Sequence, residues 1–98
     1  MRWKDIMWEK HPFSTANFAK LNFGVYELSI VEEINEPDLY ELAILSGEAF
    51  VQLPGIHPDV GEDEVWDDVL RFQTREEVIG IIRKLESITG KAPLNVYN

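Results

Sequence analysis

Six carboxylates stand within ten residues: Asp59, Glu62, Asp63, Glu64, Asp67 and Asp68, with His57 just upstream. Oxygen-rich clusters hold hard cations such as calcium or magnesium, and Asp59, Glu62 and Asp63 are the ligand set such a site would draw on. The spacing is not that of an EF-hand, because no glycine falls at the sixth position from Asp59 and no glutamate at the twelfth. A magnesium-dependent nuclease also needs a lysine near its carboxylates, and no Glu-x-Lys pattern follows. The plain reading of this stretch is a solvated acidic surface. Its functional reading is a patch for a basic protein partner, made of Glu62, Asp63, Glu64, Asp67 and Asp68 around Trp66. An indole framed by carboxylates has the composition of a binding hot spot, although the plainer reading of Trp66 is a plug at the open end of the sheet-helix core. His11 and His57 each precede a proline and read as structural. Ser14, Ser29, Ser46 and Ser87 lack the glycine elbow of a hydrolase nucleophile. Gly47, Gly55 and Gly61 are isolated, without the lysine or helix start of a phosphate loop. The expectation is a non-enzymatic protein with no catalytic residue and no cofactor.

Charge points the same way. The chain of 98 residues carries a net charge of −9. From Gly24 to Leu70 there are thirteen acidic residues and no lysine or arginine, while both flanks are slightly basic. Nucleic-acid binders draw affinity from cations that neutralise phosphate, so direct nucleic-acid binding and adhesion to anionic membranes are not expected. An acidic middle instead steers a basic protein surface. Cysteine is absent, which excludes disulfides and thiolate metal sites. The opening residues MRWKDIMWEKHP lack the apolar run of a signal peptide, and no run reaches transmembrane length. A cytoplasmic location is expected.

The elements that must position these residues follow from periodicity. Thr74 to Gly90 reads as a helix, with Val78, Ile79, Ile81, Ile82, Leu85 and Ile88 gathered on one face. Thr74 and Glu77 form a capping-box pattern, and Gly90 supplies the left-handed residue that ends a helix. Gly80 falls away from the apolar face. Upstream, Val25 to Glu33 and Leu39 to Leu45 alternate as strands, presenting Tyr26, Leu28 and Ile30, then Tyr40, Leu42 and Ile44. Ala16 to Leu21, Glu48 to Leu53 and Val69 to Phe72 are shorter candidates. The tail can add Leu94, Val96 and Tyr97 at an edge. Trp3 and Trp8 belong to an arm, helical or extended, that docks on the core or on a second subunit. The whole is one α+β domain, 1–98: an antiparallel β-meander of four to five strands packed against one C-terminal α-helix. The second face of Leu39 to Leu45 is also apolar, so a structural homodimer is a further alternative, as is a divalent-metal module or small metal-dependent enzyme centred on 57–68.

The segments VYELSIV, LYELAIL and DDVLRFQTREEVIGIIRKL, taken in this order, resemble small uncharacterised proteins carried by phages and prophages. That resemblance implies the α+β layout and a mobile-element origin, with contact to a host defence or nucleic-acid-handling complex by analogy. It implies no catalytic residue. The acidic stretch is longer here than in that pattern and stays outside the resemblance.

Overall fold

The computed structural model describes residues 1–10, 16–57 and 69–96. A 3₁₀ turn, Trp3–Asp5, precedes strands β1 (Glu9–Lys10), β2 (Asn17–Asn22), β3 (Glu27–Glu32), β4 (Tyr40–Ser46), β5 (Ala49–Phe50) and β6 (Val69–Gln73). Helix α1 (Arg75–Thr89) and strand β7 (Leu94–Asn95) follow. All pairings between these strands are antiparallel. The strands β2, β3 and β4 form the meander, and each outer edge is shared by two short pieces. Strands β1 and β7 pair with opposite ends of β2, while β6 and β5 pair with opposite ends of β4.

The register explains the layers. Ala19, Ile30, Leu42 and Leu70 lie in one cross-strand row, and Leu21, Leu28 and Ile44 in the next. All seven are buried. Period-2 alternation sends them to a single face, where they meet Val78, Ile81, Ile82 and Leu85 of α1 in one cluster. The helix begins as its pattern predicts. Glu77 N–H donates to Thr74 Oγ1 at 3.2 Å, and Thr74 N–H donates to Glu77 Oε1 at 3.0 Å. It ends where Gly90 adopts φ +67°, its N–H bonded to the Glu86 carbonyl at 2.8 Å.

Two expectations need correction. Ile88 is 52 % exposed. It lies on the flank of α1 beside Pro54, Gly55 and Ile56 rather than over the sheet, and there Lys84 Nζ donates to the Gly55 carbonyl at 2.7 Å. The strand expected over Glu48 to Leu53 is paired only at Ala49–Phe50. Beyond Val51, whose N–H reaches the Ile44 carbonyl, the chain turns: the N–H groups of Ile56 and His57 both donate to the Leu53 carbonyl. Pro54 has no N–H to continue a ladder.

The N-terminal arm completes the core. One helix, about 10–12 Å across with its side chains, cannot cover the whole face of a sheet five strands wide, with strands about 4.8 Å apart. Trp3, Trp8 and Tyr40 pack as three mutually contacting rings with centroids 5.0–5.6 Å apart, and the Arg75 guanidinium lies 4.8 Å from the Trp3 ring centre. Burial raises the Tyr40 phenol above its ordinary value, against the lowering effect of Arg75. Met7 N–H donates to Asn95 Oδ1, and Asn95 Nδ2 donates to the Asp5 carbonyl, each at 3.0 Å. The arm is thereby tied to β7.

Two variants test this packing. Ile82→Asp places an unpaired charge in the fully buried row and should leave the chain unfolded by circular dichroism. Gly80 behaves oppositely, because a Cβ built there meets nothing within 4 Å. Gly80→Ala should therefore raise stability by roughly 0.5–1 kcal/mol in urea denaturation.

Candidate functional site: an acidic cleft beside a bulged edge strand

The β3–β4 connection and β6 together build the largest cleft described, about 630 Å³. The connection is held by its own backbone: Glu33 N–H donates to the Leu39 carbonyl at 3.0 Å, and Leu39 N–H to the Glu36 carbonyl at 3.1 Å. Asp38 closes the turn at φ +72°. Opposite, the β4–β6 ladder pairs Leu42 with Leu70 but Tyr40 with Gln73. Arg71 and Phe72 therefore stand against Glu41 alone, which is a β-bulge. Phe72 adopts φ +57°. A left-handed conformation costs a non-glycine residue about 1–2 kcal/mol, and its ring is 53 % exposed.

The walls of the cleft combine Ala16, Val31, Ile34 and Phe72 with Glu32, Glu33, Glu36, Glu41, Asn35 and Arg71. The four glutamates differ in what they already hold. Glu32 Oε1 accepts the Asn17 N–H at 2.7 Å and fixes the start of β2. The Glu33 side chain is only 7 % exposed and takes a two-point contact from Arg71: Nε to Oε1 at 3.4 Å and a terminal nitrogen to Oε2 at 3.1 Å. Arg71 is half in water and stacks 5.2 Å from the centre of the Phe72 ring. The carboxylates of Glu36 and Glu41 have no partner among the described residues. Phe72 and Ile34, both well exposed, border these acids with apolar surface. The arrangement offers carboxylate acceptors beside an aromatic ring. Among the described residues its lining holds no serine, cysteine, histidine or lysine.

Asp59, Glu62, Asp63, Glu64, Trp66, Asp67 and Asp68 lie outside the described residues, as does His11. His57 is described and buried. Its Nδ1 accepts the Leu53 N–H at 2.9 Å. It thus helps close the 53–57 turn, the structural role its position before a proline suggested. Among the described residues no three His, Cys, Asp or Glu side chains are gathered to hold a metal, and no helix is long and apolar enough to cross a membrane.

Sequence reasoning missed the Glu33, Arg71 and Phe72 constellation. Glu33 and Arg71 are 38 positions apart, and a bulge formed without glycine leaves no local signature. One signal was present: a block of acids without any base must find its counter-charges beyond its own limits, and Arg71 is the first base after it. Comparison with family models, with curated proteins and with solved structures gives no match to this chain.

Removing Arg71 should leave a buried carboxylate uncompensated. Arg71→Met is expected to lose roughly 1–3 kcal/mol in urea denaturation, less than a pair buried on both sides would lose. The loss should shrink in a Glu33→Gln background, where no charge remains to be stranded.

Proposed function

We propose that this chain is a small, non-enzymatic interaction protein whose acidic cleft takes a basic segment of a protein partner. The observation that carries the reading is the pair of uncommitted carboxylates, Glu36 and Glu41, set beside the exposed Phe72 and Ile34. Carboxylates next to an aromatic face suit the stem and head of an arginine or lysine. Arg71 already shows the geometry, held by Glu33 and stacked on Phe72. A net charge of −9 adds long-range attraction for such a partner. The strain at Phe72 also supports the reading, since a bulky residue kept left-handed and exposed contributes nothing evident to the core. A phage or prophage origin, proposed from the sequence resemblance, would suit a partner in a host defence or nucleic-acid-handling complex.

A second reading draws on the outer sheet face. Phe18, Val31, Ala43, Leu45 and Val69 lie there only half buried, with Phe50 exposed at the end of a row. A second copy of the chain would cover that face in a homodimer.

Fluorescence anisotropy with a labelled octa-arginine peptide tests the first reading. Binding should be saturable and weaken as salt rises. The double variant Glu36→Gln/Glu41→Gln should weaken it by roughly tenfold. Neutralising Glu62, Asp63 and Asp67 together should weaken it less. If that triple variant alone abolishes binding, the contact is the 59–68 stretch and the cleft is not the site. No binding by the unaltered chain would remove the reading altogether.

A further inference from the structure

A second groove lies on the helix side of the molecule, opposite in sign to the cleft. It measures about 340 Å³ and is lined by Trp3, Arg75, Glu76, Ile79, Gly80 and Arg83. We infer that it is a docking groove for an acidic peptide segment of a partner protein, one that carries an apolar side chain between two carboxylates.

The argument starts at Gly80. It sits in the interior of α1, where glycine is the poorest residue short of proline. Glycine earns such a place in other helices by letting a neighbouring element approach. Here none of the described elements does, because beyond its own stretch of helix no described atom lies within 4 Å of a Cβ built there. Nor does the backbone require it, since its φ is not among the positive values. What the missing side chain does is expose a strip of helix backbone, bordered by Ile79 and by the arm-borne ring of Trp3. An incoming apolar side chain can settle there against carbon on three sides.

Charge selects the occupant. Arg75 and Arg83 stand at either end of this strip, eight residues and so about 12 Å apart along the axis. Arg75 is oriented by Trp3. Arg83 is exposed and has no ion-pair partner among the described residues. Glu76 is the one acid among the described lining residues. On a chain with twice as many acids as bases, two guanidiniums flanking an apolar notch form a local reversal of sign. Their planar forks match carboxylates. An extended peptide advances about 3.3 Å per residue, so carboxylates on residues four apart would reach both arginines with an apolar residue between them. The helix N-terminus is not the attractor, because Thr74 and Glu77 already close it.

The test uses the full chain and a labelled Glu-Ala-Leu-Ala-Glu peptide at low salt, read by anisotropy. Saturable binding is expected, lost when both glutamates of the peptide are replaced by glutamine. Gly80→Leu should fill the notch and weaken binding by roughly tenfold. Its helicity and melting temperature should at least equal those of the parent, since leucine is the better helix former. Arg83→Glu should weaken binding at least as much. Absence of binding at millimolar peptide, equal binding of the glutamine peptide, or full affinity in a folded Gly80→Leu variant would each overturn the inference. Displacement of the peptide by inorganic phosphate at similar concentration would overturn it too, since the groove would then be a simple anion site. The octa-arginine titration is independent of this groove, so either proposal can fail without the other.

Discussion

The burial of one sheet face beneath one short helix is the constraint from which the other features follow. Rows running from Ala19 to Leu70 and from Leu21 to Ile44 offer a wide apolar surface, and α1 contributes four fully or nearly buried side chains to it. A single helix cannot close so wide a layer. The uncovered end is sealed by rings from the N-terminal arm, and Tyr40 is the strand residue they seal against. The arm is therefore part of the core, and the groove beside Trp3 exists because arm and helix meet there without filling the angle between them.

The edges of the sheet face a different demand. An unpaired strand edge invites association with another chain. Two short pieces cover each outer strand, and the longest of these, β6, is broken by the bulge at Arg71 and Phe72. The Gln73 side chain also donates to the outward Arg71 carbonyl at 3.0 Å. A bulged, self-capped edge resists pairing with another strand. The same distortion turns Phe72 outward next to the acids of the β3–β4 connection, so one irregularity both blunts the edge and furnishes the cleft.

Legibility in the sequence followed the strength of local pattern. The helix and the strands β3 and β4 could be read because their burial periods run over six or more residues and their ends carry caps and turns. The two-residue strands were legible only in part: β5 lies inside the span Glu48 to Leu53 and β7 inside the tail, where strands are expected, but their limits and the strand β1 are not, since two residues have no period and their pairing depends on what lies beside them. The tail was expected at an edge as Leu94, Val96 and Tyr97, and the ladder pairs Leu94 and Asn95 with β2. Ile88 has a spacing that suits the core stripe, but it lies on the flank of α1, half exposed beside Pro54, Gly55 and Ile56. The acidic character of the middle was plain from composition. That Glu33 would be buried under Arg71, and that Phe72 would be forced left-handed, depended on a contact across 38 residues and had no local trace.

The side chain of Asn95 joins positions 5 and 7 to strand β7, across separations of 90 and 88 residues. Such a clasp cannot form until Asn95 has left the ribosome. Until then the arm lacks two of the hydrogen bonds that tie it down. Topologies dominated by distant contacts close slowly. During synthesis this interval is when the newborn chain would be most open to chaperones and to cleavage.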